Sequence, residues 1–564
     1  MVARGPAHAT HPRFTPSPWQ GVGLPVLIAA LLFLGQLGGI DLWNPDEPRY
    51  AQVAEEMRSF EHGAQGLVLL HLHGEPYTQK PPFYYWMAAT LSAPFGHVGH
   101  WPARLPSALS GIAVIGLTVL FGRRLYRDPK TGVIASLILL GVFRFTHQAR
   151  RAQLDVTLTL CELVALMAFW SLDQKRERNA SRGLLLILHG AVGLGLLTKG
   201  PVAALPYLII VVFLLWEGRR SDLRRIFPLW SPLVTLAPVA LWFYTSLWLA
   251  PPGHFEEAAT QNLWTRFFYG LHHPRPFYYF LYQLPVDFLP WTPVVAVALF
   301  SGLRTAKART GHDPDRKTRR FLLAWLYTTL IFFSLSAEKR GLYILPAFPA
   351  LALIGSGWLT PRFDPPRIPL WLSGGAAAVF ALLAAVAVLF ASLPGLPSTF
   401  LGPTALPPLF LAGVGSVSLL SAGGLLWWHA YRPRAANPIT ILLLAPIALE
   451  CFMLFSLFPA IDQEKSYRPI AEFVAESIPE SSEIGIYRRQ SIGSALEYYS
   501  GHRSRLLEDN AELWAFHREG GRVLVAPRHH QPFLEDEAGA RVLRQFREGK
   551  RALIVVQLQD TPKE

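Results

Sequence analysis

Thirteen apolar stretches of about 16 residues or more divide this chain of 564 residues. They cover 21–40, 104–121, 131–147, 154–172, 183–198, 201–217, 227–249, 284–303, 321–336, 342–359, 368–392, 405–428 and 438–459. A helix needs about 20 residues to cross roughly 30 Å of hydrocarbon, and most of these runs approach that length. A chain built this way cannot bury its apolar surface in one water-soluble core. It reads as a mainly α, polytopic membrane protein with about 13 transmembrane helices.

The charges between the runs supply a second line of argument. With the N-terminus in the cytoplasm, the inside segments are 1–20, 122–130, 173–182, 217–226, 304–320, 361–367 and 429–437. These carry 25 Lys and Arg, against 12 in all the rest of the chain before residue 460, as the positive-inside rule requires. Removing one span would invert every later loop, so the alternation favours thirteen over twelve. The net charge of +13 is then largely topological, and no nucleic-acid partner is called for. The first run has no small-x-small cleavage site and reads as a retained anchor rather than a signal peptide. Cys161 and Cys451, the only cysteines, both fall within spans, which argues against a disulfide or a thiolate metal site.

An odd number of spans places the C-terminus outside. From about residue 462 the composition becomes that of a small soluble domain. Strands are expected at Glu483–Tyr487, Arg522–Ala526 and Ala552–Gln557, with helices near 465–477, 510–518 and 529–539. Alternation of this kind over about 100 residues predicts a compact α/β unit.

The outside face collects the chain's compact polar motifs. Directly after the first run stands Asp41-Leu-Trp-Asn-Pro-Asp46-Glu47-Pro48-Arg49-Tyr50, followed by Gly74-Glu-Pro-Tyr-Thr-Gln79-Lys80-Pro81-Pro82-Phe-Tyr84-Tyr85-Trp86. The same face holds His147-Gln-Ala-Arg150-Arg151-Ala-Gln-Leu-Asp155, Thr198-Lys199-Gly200-Pro201 and Ser336-Ala-Glu338-Lys339-Arg340-Gly-Leu-Tyr343-Ile-Leu-Pro346. The long loop 250–283 adds Gln261-Asn-Leu-Trp-Thr-Arg266 and His272-His273-Pro-Arg275. Cations gathered at helix ends suit a phosphate head group whose lipid tail stays in the bilayer, since Arg offers a planar fork and Lys a point charge. Pro48–Phe60 and Pro82–Pro94 are too short or too polar to span. They fit helices lying along the interface, the second with Tyr84, Tyr85 and Trp86 at head-group depth. Plainer readings stand beside these: an N-cap for Asp46, a snorkelling side chain for Lys80, a surface pair for Glu338 and Lys339. His272 and His273 are adjacent and point apart on regular structure, which disfavours a shared metal.

Asn-Pro-Asp-Glu-Pro-Arg-Tyr, Lys-Pro-Pro-Phe-Tyr-Tyr-Trp and Ala103-Arg104-Leu-Pro-Ser-Ala-Leu109 together resemble the signatures of polyprenyl-phosphate-sugar glycosyltransferases of the C-type fold. Thr-Lys-Gly-Pro and Lys-Arg-x-x-Tyr-Ile-Leu-Pro match in order and spacing. The likeness covers roughly residues 20–350. It is greatest to the lipid A aminoarabinose transferases, which are related to protein O-mannosyltransferases. It implies inverting transfer of a sugar from an undecaprenyl phosphate carrier to an envelope acceptor, lipid A, another glycan or a protein, on the periplasmic side of the bacterial inner membrane. By position, Lys80, Arg266 and Tyr343 match residues that hold the lipid phosphate. Asp46 matches the key acidic residue, with Arg49 one turn away to orient it. Asp155 and Lys199 match further polar residues of the site, and Tyr50 and Tyr84 stand in the matching motifs as substrate-binding candidates. Gln79 departs from the Glu often found before this Lys, so no metal or other cofactor is carried over, although a divalent ion stays open.

The organisation implied is a cytoplasmic tail, 1–20, and a transmembrane glycosyltransferase region, 21–461, with periplasmic loops 41–103 and 250–283. A periplasmic α/β domain, 462–564, follows. A lipid or solute transporter is the alternative from another class. Transporters place their polar residues near the midplane, often on repeated halves, whereas here the charges gather at one face.

Overall fold

A computed structural model describes residues 21–174, 182–251, 274–306, 314–362, 368–393, 406–431, 437–479, 482–489, 492–548 and 551–559. Helices dominate, in chain order α1 (Gly23–Leu34), α2 (Asp46–Arg58), α3 (Phe83–Leu91), α4 (His100–Tyr126), α5 (Pro129–Leu140), α6 (Phe143–Ala149), α7 (Leu154–Gln174), α8 (Arg182–Lys199), α9 (Leu205–Trp216), α10 (Asp222–Ile226) and α11 (Ser231–Leu249). After the loop come α12 (Tyr279–Asp287), α13 (Thr292–Ala306), α14 (Pro314–Leu335), α15 (Phe348–Leu359), α16 (Leu370–Ser392), α17 (Pro408–Tyr431), α18 (Pro438–Phe452), α19 (Phe458–Lys465) and α20 (Arg468–Ser477). Short 3-10 turns join several of them, including Gly200–Ala204 and Gly341–Ala347.

Among the described residues, 8 helices are long and apolar enough to cross a membrane, or up to 10 if each of two bent pairs is one span. The chain is a multi-pass membrane protein. Three of the thirteen expected runs are shortened or bent, 183–198 and 201–217 fall in one stretch, Arg182–Trp216, and 321–336 is not among these helices. The first shortens to the 12 residues of α1. The run 131–147 breaks between α5 and α6 with a bend of 76°. A Cβ at the break, Gly141, would lie 3.2 Å from both Pro446 and Trp291. The run 284–303 becomes α12 and α13, bent by 118°. Between α8 and α9 the chain folds back, because His189 Nδ1 lies 2.7 Å from the Tyr207 hydroxyl across the turn at Lys199–Ala204.

The bundle packs through small residues as well as large ones. Gly122 on α4 faces Gly132 on α5 so closely that a Cβ on either would strike the other helix's backbone. Where lipid replaces water, association depends on such close backbone approach.

Helix α7 fixes the two ends of the bundle. Asp155 lies in its first turn and Asp173 near its last. At 1.5 Å per residue the two are about 27 Å apart, close to the thickness of the hydrocarbon core. Asp173 pairs with Arg219 at 2.6 Å and with Lys317, while Arg320 reaches Glu217 at 2.6 Å. Residues from the segments 173–182, 217–226 and 304–320, assigned to one side by charge alone, therefore meet at one end.

At the opposite end, residues 41–99 form a separate layer with its own core of Tyr50, Val53, Ala54, Tyr77, Tyr84 and Tyr85. Helix α2 begins at Asp46, whose charge and that of Glu47 suit the positive end of the helix dipole. It buries Tyr50, Val53, Ala54 and Met57, as the sequence spacing requires. A hairpin of β1 (His71–Leu72) and β2 (Glu75–Pro76) leads to α3, which starts directly after Pro82.

Strands β3 (Ile484–Tyr487), β4 (Ser504–Leu507), β5 (Val523–Pro527), β6 (Ala540–Glu548) and β7 (Arg551–Leu558) form a sheet of order β4-β3-β5-β7-β6. The pairs β3–β4 and β3–β5 are parallel, and β5–β7 and β6–β7 antiparallel. Helices α21 (Gly493–Ser500), α22 (Asn510–Arg518) and α23 (Gln531–Asp536) accompany it. Helix α21 docks on the layer below. Tyr498 donates to Val98 O at 3.0 Å, and Leu42 N donates to the Tyr499 hydroxyl at 2.7 Å. His73 meets Glu497 at 2.6 Å.

Candidate active site

Four elements converge where α7 begins: the start of α2, the α8–α9 turn, the segment Gln153–Asp155, and the strand-like approach to the 3-10 turn Gly341–Ala347. Asp155 accepts from Lys199 Nζ at 2.5 Å. The same ammonium lies 4.4 Å from the centre of the Tyr343 ring. Lys199 can occupy this place because the chain reverses at Gly200, whose φ of +74° is free of strain only without a Cβ. Beside this group, Asp46 Oδ2 accepts from Arg340 Nη2 at 3.1 Å and from Gln153 Nε2 at 3.3 Å. Burial opposes ionisation of Asp46, yet the charge of Arg340, the Gln153 amide and Arg49 outweigh it and hold the carboxyl below its usual range. Arg340 in turn, despite its own burial, is held above its ordinary value by Asp46, Tyr343 and Asp155. Asp46, Asp155, Lys199 and Tyr343, widely separated in sequence, thus form one charged cluster with Arg340.

The orientation of Asp46 expected from Arg49 falls to Arg340. Arg49 feels the Asp46 charge, but its Nε reaches the Ser494 hydroxyl at 3.5 Å, towards α21. Tyr50 is buried against Tyr84 and Tyr85, at ring distances of 6.3 and 5.8 Å, and burial together with the Asp46 charge raises its phenol well above the ordinary value. Tyr84 is 1% exposed. Its hydroxyl donates to Ala103 O at 2.9 Å and meets Ser107 at 3.0 Å, so it ties α3 to α4. Lys80 is half-buried in the turn before α3. Arg266 lies outside the described residues, as do His272 and His273.

Two residues that sequence reasoning passed over hold the site together. Glu47 is fully buried and accepts from Arg104 at 2.9 and 3.0 Å, from Trp43 N at 2.9 Å and from Ala152 N at 2.8 Å, with Arg151 at 3.1 Å. Arg104, 1% exposed, also donates to the carbonyls of Leu37, Ile40 and Asp41. This clamp joins the end of α1, the start of α2, α4 and the segment before α7. Arg340 was passed over too, although its place beside Tyr343 could have been read from the spacing. A 3-10 turn places residues i and i+3 on one edge, and Arg340 stands three before Tyr343, whose N–H donates to its carbonyl at 3.0 Å.

Residues 79–244 match a family described as dolichyl-phosphate-mannose-protein mannosyltransferase. The undecaprenyl phosphate-alpha-4-amino-4-deoxy-L-arabinose arabinosyl transferase of Pseudomonas aeruginosa strain LESB58 is 31% identical over 354 residues, 61% of this chain and 60% of that protein. An arabinosyl transferase of the same description, number 1 of Pseudomonas fluorescens Pf0-1, is 31% identical over 388 residues, 66% of this chain and 63% of its own length. The chain thus matches about three fifths of the length of these relatives. The crystal structure of ArnT from Cupriavidus metallidurans bound to undecaprenyl phosphate superposes with a TM-score of 0.72 at 23% identity, covering 95% of this chain and 97% of that one. The fold is that of the C-type glycosyltransferases. The archaeal oligosaccharyltransferase AglB from Archaeoglobus fulgidus shares it more distantly, with a TM-score of 0.53 at 12% identity over 91% of this chain and 70% of its own. The resemblance carried by the motifs is borne out, and the likeness is to glycosyltransferases rather than to a transporter. On this C-type scaffold the segment matched by the family model carries Asp155 and Lys199 of the cluster, and also Lys80 and Tyr84, while Asp46, Arg340 and Tyr343 complete the cluster from beyond that segment.

Proposed function

We propose that this protein transfers a sugar from a polyprenyl phosphate carrier to an envelope acceptor at the periplasmic face of the inner membrane, in an aminoarabinose-type transfer to lipid A. The observation that carries the reading is the charged cluster at one end of α7 beside an apolar cavity of about 580 Å³. Phe83, Trp86, Leu91, Leu109, Leu160 and Leu194 line that cavity between α3, α4, α7 and α8. Lys80 stands immediately before α3, the cavity's wall, so a prenyl tail in the cavity brings its phosphate towards the lysine. The relatives' substrates, as their names give them, supply the chemical class.

In this reading Lys80, Arg266 and Tyr343 hold the carrier phosphate, and the reaction is an inverting displacement at the anomeric carbon. The C–O bond to the carrier breaks as the acceptor oxygen bonds from the opposite side, and the leaving phosphate takes the electron pair. Fixed cations stabilise that developing charge because they need no reorganisation during the step. Asp155 and Tyr343 hold Lys199 in place for the same purpose. Asp46 is ionised at neutral pH and stands ready either to take a proton from a hydroxyl acceptor or to counter an amino sugar's charge. With the charge asymmetry of the loops, this face is outside and the Asp173 end is cytoplasmic, and the C-terminal unit lies over the site in the periplasm.

Mass spectrometry of lipid-linked sugars and envelope glycans tests the proposal in a strain lacking the gene. Accumulated polyprenyl-phosphate-linked sugar with loss of one modified envelope product supports it. Unchanged lipid-linked sugars and unchanged glycans overturn it.

A further inference from the structure

We propose that Glu56, Glu61 and His62 form a binding site for one divalent transition-metal ion of the zinc type, at the end of α2. The inference is independent of the glycosyl-transfer reading. One ligand atom from each of the three residues lies within 4.8 Å of the other two. The chain can bring them together because it turns back after α2, with Phe60 at φ +53° and Gly63 at φ +60°, setting Glu61 and His62 over the helix's last turn.

The spacing of His62 and Glu56, an ion pair when the imidazole is protonated, also admits an ion between them. His62 Nε2 is 3.6 Å from Glu56 Oε2, too far for a hydrogen bond. Two donors sharing one tetrahedral ion at about 2.0–2.1 Å each lie roughly 3.3 Å apart, so the His62–Glu56 pair needs a shift of only a few tenths of an ångström, and the exposed Glu61, within 4.8 Å of both, closes the set by a side-chain rotation. His62 Nε2 is buried and has no hydrogen-bond partner among the described residues. Its ring is stacked on His71, with centroids 3.7 Å apart and planes at 19°, which fixes its direction. Glu56 is 3% exposed and is held by Gln52 Nε2 at 3.0 Å, His73 N at 2.6 Å and Gly74 N at 3.1 Å. Outer hydrogen bonds of this kind orient a ligating carboxylate. Glu61 is exposed and leaves a side open to water as a fourth ligand. One imidazole with two carboxylates suits zinc and its neighbours, whereas magnesium and calcium prefer all-oxygen shells.

The bound ion would fasten the end of α2 to the β1–β2 hairpin, through Glu56 and the backbone of His73 and Gly74. That hairpin leads to Lys80. The site is therefore a staple for the layer that covers the bundle, with no part in bond-making.

The test uses the purified full chain, stripped with a chelator and free of any histidine tag, titrated with zinc chloride. Metal content is read by elemental analysis and unfolding by intrinsic fluorescence. The proposal predicts about one equivalent bound, a rise in unfolding temperature on loading, and affinity lower by roughly 10-fold or more in Glu61→Gln and in His62→Ala. Glu61 is exposed, so Glu61→Gln keeps the fold and the comparison stands if His62→Ala is unstable. Magnesium chloride should not compete. Absence of a bound equivalent in the wild type overturns the proposal, as does unchanged zinc affinity in Glu61→Gln.

Discussion

Replacing Glu47 by Gln keeps the shape of the side chain and removes its charge, which isolates the clamp under the site. Oε1 of Glu47 accepts from Arg104 Nε and Ala152 N, and Oε2 from Arg104 Nη2 and Trp43 N with Arg151 close by. Whichever way a glutamine amide lies, its NH₂ group faces two or more donors. Each donor left unsatisfied in a buried site costs about 1–3 kcal/mol, and breaking a buried charge pair from one side costs about 3–5 kcal/mol. The expected destabilisation is therefore about 3–5 kcal/mol, read from denaturant unfolding in detergent followed by Trp fluorescence. In a double-mutant cycle, Glu47→Gln with Arg104→Gln should lose less than the sum of the two single changes, because the second removes the charge the first stranded. Burial would push the Glu47 carboxyl up, but Arg104 and Arg151 hold it far below its usual range. A carboxyl depressed on folding contributes stability above its unfolded value of about 4.3 and loses it as pH falls towards the folded value. Wild-type stability should fall as pH drops below about 5, and Glu47→Gln should lack that component. A Glu47→Gln protein within about 1 kcal/mol of wild type, or with the same acid loss, would refute the clamp.

Lys80→Ala and Arg266→Ala should each lower turnover about 10- to 100-fold, the worth of one charge-assisted contact to phosphate. Near-normal carrier binding and turnover in both would contradict the phosphate assignment. Asp155→Asn and Lys199→Ala should each reduce activity, with a combined loss well short of the product because they act as a pair, and fully multiplicative losses would separate them. Although burial opposes it, Arg340, Gln153 and Arg49 keep Asp46 ionised below its usual range. An acid limb near pH 6 in the rate profile then belongs to a phosphate acceptor, whose second pKa is about 6. That limb should persist in the residual activity of Asp46→Asn, and its disappearance would point to a hydroxyl acceptor with Asp46 as its base. After replacement of Cys161 and Cys451, single cysteines near Asp46, in 250–283 and after 462 should label from outside intact cells, and those in 304–320 should not. Outside labelling of 304–320 would reverse the orientation.

The bundle and the grouping of its loops at one end were legible because two independent signals, apolar length and loop charge, bear on them. The ion pairs of Asp173, Arg219 and Lys317 join loops that charge alone had put on one side. Breaks within runs were not legible. At Gly141 a side chain would meet Pro446 and Trp291, 305 and 150 residues away in sequence, which no local pattern shows. In the C-terminal unit, β3, β5 and β7 were readable as apolar runs, but β4 and β6 were missed. Ser504–Leu507 and Ala540–Glu548 are the edge strands, where polar and basic residues blunt further pairing and dilute the apolar pattern. In the site, Asp46, Asp155, Lys199 and Tyr343 were found by motif. Glu47, Arg104 and Arg340 stood inside the same motifs and were passed over, because partners 57 and 294 residues apart appear only once the chain is folded. Tyr84 was readable as an interfacial aromatic, while its hydroxyl's use in joining α3 to α4 depends on packing.

The central claim is tested most directly by reconstituting the purified chain in proteoliposomes with a polyprenyl-phosphate-linked aminoarabinose and lipid A, and following both lipids by mass spectrometry. The account predicts modified lipid A and free polyprenyl phosphate appearing in equal amounts, with inversion at the anomeric carbon and loss of both products in Asp46→Asn. Donor that stays intact, or that crosses the bilayer without cleavage while the protein is folded, would contradict it.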